Sequence, residues 1–408
     1  MILEGTFVTH EKTFKTQVKF DSETGLIQEV GENIGNADLT FDSNHKIFPG
    51  FIDIHVHCRE DVSQTQSYKE DFVTASQAAI MGGVTGMMDM PNNPKPPIDD
   101  KSYYAKKELT KKGIIDILLY AGIGPNTNPL SFKVPYKAYM GPSVGDLFFD
   151  KDEKINNIIP KYKDNFISFH CESADLLKEN ENQPTHEEKR PEVCEVNAIT
   201  HAMKVCKENN IRMNVAHLST KAGLLEVLRG KKEGQTVTSE VCHHHLYYTE
   251  DTKDKSTNPS FLQMNPPLRK EEDRKFLFEQ LKLGNVDYLT TDHAPHTLKE
   301  NKEGISGLPL LDTYGLFVTW LLKQGINEQI IAKVCSYNPG KLFGEFRGEK
   351  FGEIKEGFIA SFTILNLSKE HTVKQEDIKS KCAWSPFEGT TFPGSVVMTI
   401  VRGKHYKI

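Results

Sequence analysis

Between residues 49 and 292 the chain repeats one unit, a short largely apolar run followed by a longer stretch, in most cases with helical spacing. Eight such runs stand out: PGFIDIH (49–55), VTGMMDM (84–90), IIDILLYA (114–121), YKAYM (136–140), FISFH (166–170), MNVAH (213–217), TVTSEV (236–241) and VDYLTTD (286–292). Short, nearly continuous apolar runs suit strands buried on both faces. Helical patterns at 69–83, 195–210 and 221–232 separate them, although GIGPNTNPLSFKVP, after the third run, is too rich in Pro and Asn for a helix. Strands that alternate with helices build a parallel sheet. Eight of them predict an α/β fold of the (β/α)8 barrel type, with a doubly wound open sheet as the alternative.

The two ends read differently. GTFVTH, KTFKTQVKF and GLIQEVG at the start, and FGEIKEGFIASFTILN and GSVVMTIVRGKHYKI at the end, alternate apolar and polar residues between glycines. Residues 1–48 and 346–408 are therefore expected to form one small composite β-sandwich domain, flanking a barrel over residues 49–345. A chain of 408 residues has room for both, since single α/β barrels reach about 250 residues.

Charge and cysteine content narrow the function. Lys plus Arg number 50 against 56 for Asp plus Glu, a net charge of -6, so no global basic field invites nucleic acid. Charged residues at 26% and hydrophobic residues at 38% exclude wholesale disorder. The seven cysteines are odd in number, irregularly spaced and lack a CxxC, which argues against a disulfide framework or a zinc knuckle. MILEGTFVTHEKTFK has no signal-peptide apolar stretch, and no run is long enough to span a bilayer. A cytoplasmic protein without membrane or nucleic-acid partners is expected; a homodimer is left open.

The barrel reading places functional side chains at the C-terminal ends of the strands. The first run ends in His55-Val56-His57, the fourth carries Lys137, and the fifth, sixth and eighth end in His170, His217 and Asp292. His55 and His57, two apart on a strand, share a face and can chelate one divalent metal. Taken alone, HxH fits a pair of half-buried histidines equally well, and a lone His170 or His217 fits a hydrogen-bonded rim histidine better. Four histidines at strand ends of one barrel are harder to explain by packing, because burying them without partners costs free energy. Lys137 alone reads better as a solvated lysine, since an ammonium repels a metal; carbamylation by CO₂ would convert it to a carboxylate able to bridge two cations. Asp292 suits a turn or a helix cap, or else a carboxylate that takes a proton from a metal-activated water.

At these residues the chain resembles the amidohydrolase superfamily and, within it, the dihydroorotases. The resemblance runs through FPGFIDIHVHCRE, MPNNPKPP, ISFHCES, NVAHLSTKAG, TSEVCHHHLYYTE, MNPPLR, TTDHAPH, YNPGKLFG and WSPFEG. It implies a binuclear site of two Zn²⁺ ions, with His55, His57 and Asp292 on the more buried metal. His170 and His217 would hold the more exposed one, and carboxylated Lys137 would bridge the pair. It implies further that Arg59, Asn92, Asn265 and His296 contact the substrate, with Asn93 as a weaker candidate than Asn92. The reaction implied is the reversible cyclisation of N-carbamoyl-L-aspartate to L-dihydroorotate in pyrimidine biosynthesis. A metal-bridging hydroxide would act as nucleophile and Asp292 as proton shuttle.

The chain also departs from that pattern. Relatives carry a short REPG stretch where this sequence has the longer REDVSQTQSYKED, beside Arg59. The run His243-His244-His245 is read as supporting or structural. Three alternatives are weighed: a hydantoinase-, dihydropyrimidinase- or allantoinase-type enzyme, an inactive dihydroorotase-like scaffolding subunit, and a binding module with an empty barrel. The six intact candidate ligands argue against the last two.

Overall fold

The computed structural model describes residues 1–142, 146–256 and 258–408. Its centre is a closed parallel barrel. The strands are Phe51–Val56, Val84–Asp89, a third in two pieces (Asp116–Leu119 and Ala121–Ile123), Tyr136–Tyr139, Phe166–His170, Arg212–Val215, Val237–Cys242 and Tyr288–Thr290. Every neighbouring pair is parallel. The third strand divides its duties. Its first piece pairs with the second strand and its second piece with the fourth, and between them Tyr120 N–H donates to Asp89 at 3.0 Å. A parallel bridge between Val56 and His293 closes the ring. All eight predicted runs thus become barrel strands, and the Pro- and Asn-rich third connection holds no helix.

The first crossover helix, Phe72–Met81, shows how local sequence sets an element. Asp71 and Thr74 form a reciprocal capping box at its start. Phe72, Ala75, Ala78 and Ala79 are buried, and the three alanines let the helix lie close to its neighbours. Gly82 ends it where a Cβ would meet the carbonyl oxygen of Leu311 at 2.0 Å, so only glycine fits. No helix among the described residues is long and apolar enough to cross a membrane.

The terminal segments share a second sheet. Its order runs Lys404–Lys407, Ser395–Val401, Phe362–Asn366, His45–Pro49, Ile2–Val8, Thr13–Asp21 and Leu26–Gly31, with Leu39–Thr40 also on Ile2–Val8. This sheet is bent on itself. Phe20 and Phe362 lie on strands three spacings apart, roughly 14 Å in a flat sheet, yet their ring centroids are 5.6 Å apart. A bridge joins Leu26, on the edge strand, to Ile359, just before Phe362–Asn366. Phe7, Phe20 and Phe362 form the core between the facing layers. Phe362→Ala should therefore cost about 3–5 kcal/mol, read as a lower midpoint of the first unfolding transition.

Two stretches near the C-terminus lie on the barrel. Helix Asn338–Arg347 packs against the first and third barrel strands and ends at Gly348, whose φ is 73°. Residues 379–388 leave the sheet and cover one side of the barrel mouth. There Lys379 N–H donates to Asp312, Lys381 N–H to Glu70, and the Trp384 indole N–H to the His296 carbonyl at 2.7 Å.

Candidate active site

The C-terminal mouth of the barrel opens into a cavity of about 800 Å³. Period-two alternation points His55 into it from the first strand and turns Glu240, on the seventh, inward against His55. His57 follows one residue beyond its strand. His55 Nε2 and His57 Nε2 meet the same Asp292 oxygen, Oδ1, at 3.2 and 3.1 Å. The three side chains are buried and form a group able to hold a metal ion. The second pair adjoins the first: the His217 ring centroid lies 5.1 Å from that of His55 and 4.6 Å from that of His170. His170 Nδ1 and His217 Nε2 are 2.9 Å apart.

Lys137 is fully buried, and its Nζ has no hydrogen-bond partner among the described residues. The solvated-lysine reading therefore fails. Burial lowers its ammonium to about 8, against the pull of Glu240 and Asp292. A buried amine without a counter-ion is a group whose neutral, CO₂-reactive form is accessible. Burial alone would raise the Asp292 carboxyl, but His55, His57 and His217 outweigh it and hold the group well below its usual range. Burial lowers His57 to about 3 and His217 well below the ordinary histidine value, so both imidazoles are neutral, the form that ligates metal.

Of the nine described non-glycine residues with positive φ, three belong to the site. Arg59, His217 and Asp292 all have positive φ, at 58°, 37° and 48°. Such conformations cost about 1–3 kcal/mol for non-glycine residues and gather where function constrains the chain.

Of the remaining candidates Arg59, Asn92 and Asn265 line the same cavity, and His296 is buried against Arg59. Arg59 is 2% exposed; its Nε donates to the Pro295 carbonyl at 3.3 Å and its Nη2 lies 3.1 Å from His296 Nε2. Its Nη1 is buried without a partner among the described residues. The Asn92 carbonyl oxygen accepts a hydrogen bond from His57 Nδ1 at 2.7 Å, so Asn92 orients a candidate ligand as well as facing the cavity. Asn265 lines the cavity with a buried carbonyl oxygen lacking a partner among the described residues. Asn93 instead accepts from buried Lys106 and is used structurally.

Several site residues escaped the sequence analysis. Glu240 is fully buried; its Oε2 accepts from His55 Nδ1 at 2.7 Å and its Oε1 from Asn214 at 2.6 Å. A carboxylate that fixes the far nitrogen of a ligating imidazole raises its basicity and sets its tautomer. The signal was present in TVTSEV, a carboxylate in an apolar strand two residues before an inward position. Glu240→Gln should lower metal retention 10–100-fold, measured by metal content after graded chelation, with little change in circular dichroism. Glu172, held at about 2 by Arg190 and His170 against burial, anchors His170 Nε2 at 2.8 Å. No local pattern marks it, because Arg190 arrives from a separate loop.

The histidine run is buried beside this site. His245 Nε2 donates to the Pro266 carbonyl at 3.1 Å, next to Asn265, and His243 stacks on Phe317 with centroids 4.3 Å apart. Cys242, His244 and His245 bring possible ligand atoms within 4.8 Å of one another. Since His243 and His245 serve packing and the Asn265 loop, the run is read as supporting structure.

The model of the amidohydrolase family matches residues 47–405. A dihydroorotase of Pyrococcus horikoshii is 33% identical, covering 99% of this chain and 91% of its own. The Bacillus cereus dihydroorotase is 32% identical, covering 94% and 92%. Among solved structures, L-hydantoinase from Arthrobacter aurescens superposes with a TM-score of 0.89 at 24% identity, over 99% of this chain and 95% of that one. That likeness covers both the barrel and the terminal sheet. On this evidence the chain belongs to the amidohydrolase family, on the branch of the dihydroorotases.

Proposed function

We propose that this protein is a dihydroorotase, interconverting L-dihydroorotate plus water and N-carbamoyl-L-aspartate. The observation that carries the reading is one cavity holding both a metal-type His/Asp cluster and a buried arginine with an unpartnered nitrogen. A cyclic amide bearing a carboxylate needs both; hydantoin and allantoin lack the carboxylate that would neutralise Arg59.

The donor set fits zinc: neutral imidazoles, an ionised carboxylate, and a buried lysine whose carbamate would add a second carboxylate. His55, His57 and Asp292 would hold one cation, His170 and His217 the other, with carboxylated Lys137 between them. Bound there, the cations supply Lewis-acid polarisation of the amide carbonyl and a water acidified toward neutrality. Asp292, ionised and beside the reacting carbonyl, takes the proton of the attacking water and delivers it to the ring nitrogen as the C–N bond breaks. In cyclisation it takes the proton from the ureido nitrogen instead. Arg59 grips the substrate carboxylate through its planar fork, with Asn92 and His296 beside it, and Asn265 faces the ring. These contacts hold the carbonyl in place and so lower the entropic cost of reaction.

The test is dihydroorotate hydrolysis by the purified, metal-analysed protein, with hydantoin and allantoin in parallel. Turnover of dihydroorotate is expected; turnover only of the ring amides without a carboxylate would replace the reading with a hydantoinase-type one. Arg59→Met should raise KM for dihydroorotate about 10–100-fold, the cost of a lost charged hydrogen bond, with a smaller effect on kcat.

A further inference from the structure

The fourth barrel strand turns Lys137 and Tyr139, two residues apart, to the same inner face. Tyr139 stands one step nearer the mouth and is paired in register with His170. Its ring is accounted for by packing: Lys137 Nζ lies 5.4 Å from the ring centroid, and the His170 ring 6.2 Å from it. Its hydroxyl is not. Tyr139 is 2% exposed and lines the same cavity as His55, Arg59 and Asn92, yet its O–H has no acceptor among the described residues. A phenylalanine would fill the place of the ring equally well, and burying a hydroxyl with nothing to receive its proton costs free energy.

The surroundings of the phenol oxygen restrict what its proton can meet. The backbone N–H of Asn92 approaches the oxygen and can only donate, so the hydroxyl proton turns elsewhere. The charges that act on the phenol most strongly are those of Asp292 and Arg59. Arg59 Nη1 is a second buried donor of this cavity without a partner among the described residues. A guanidinium N–H and a phenol O–H beside Asn92 make a donor pair that the two oxygens of a carboxylate would satisfy, and a carboxylate also answers the charge of Arg59. We propose that Tyr139 is a substrate-binding residue whose O–H joins Arg59 on the substrate carboxylate, so that the cavity favours ring amides that carry one. This rests on the dihydroorotase reading for the identity of the carboxylate. Two competing views give the hydroxyl to the reacting carbonyl or Asp292, or to packing alone.

The test is Tyr139→Phe in the zinc-loaded enzyme, alone and combined with Arg59→Met. Tyr139→Phe should raise KM for dihydroorotate about tenfold, the worth of a hydrogen bond to a charged group, with kcat within about twofold. Binding of orotate, an unsaturated ring with the same carboxylate, should weaken by the same factor. In the Arg59→Met background Tyr139→Phe should raise KM by less than about threefold, because a carboxylate released by the guanidinium is no longer held against the phenol, and groups that share one partner do not act additively. Equal losses in the two backgrounds overturn the inference. So does a fall in kcat with KM unchanged, which would place the hydroxyl on the reacting carbonyl or Asp292. So does a lower melting temperature with KM and kcat unchanged, which would leave it to packing. Failure of wild type to turn over dihydroorotate overturns the dihydroorotase reading and the carboxylate assignment with it, whereas wild-type turnover that Tyr139→Phe leaves unaffected overturns this inference alone.

Discussion

Lys137→Ala is expected to lose bound metal and turnover together. Lys137 lies at the bottom of the mouth, fully buried, with no partner for its Nζ among the described residues. A lysine kept in that state for packing alone would cost free energy, both for burying the charge and for leaving its donors unused. On the proposed reading, a carbamate formed from its neutral amine and CO₂ would turn that cost into a ligand for two cations. Changing outer partners of a metal ligand already weakens retention 10–100-fold, so removing the bridge should weaken it about 100-fold or more. Metal content after dialysis and dihydroorotate hydrolysis are the paired measurements. Short carboxylic acids added in solution should restore part of both, because they can occupy the space the side chain leaves. Metal and activity at wild-type level in Lys137→Ala would show that this lysine bridges nothing.

Asp292→Asn should keep the fold and lose about two to four orders of magnitude in kcat, the usual worth of a positioned acid–base group. The substitution is mild for the backbone, since Asn adopts the left-handed conformation found here at φ 48° as readily as Asp. It is severe for the chemistry. An amide cannot accept the water proton, and it removes the charge that His55 and His57 share at 3.2 and 3.1 Å. Circular dichroism and melting temperature separate the two effects. A near-normal rate in this variant would remove Asp292 as the proton shuttle.

Much of this site could be read before any coordinates. HxH on one strand face, single histidines ending the fifth and sixth runs, and an aspartate ending the eighth follow from strand periodicity and the polarity of a barrel. The six candidate ligands do gather at one mouth. The positions that support them were not legible. Glu172 matters through Arg190, eighteen residues on. Nor does local sequence announce that Arg59, His217 and Asp292 take left-handed backbone angles, because even Asp and His, which adopt them more often than most, do so at only a small share of positions.

The order of strands and helices, the parallel barrel, the sheet shared by both ends and the residue types of the site were set by local pattern, since period and polarity act over a few neighbours. Which carboxylate steadies which imidazole, how residues 379–388 come to cover the mouth, and what faces the Tyr139 hydroxyl were decided only when distant segments closed on one another. Those contacts depend on distances that a linear chain does not carry.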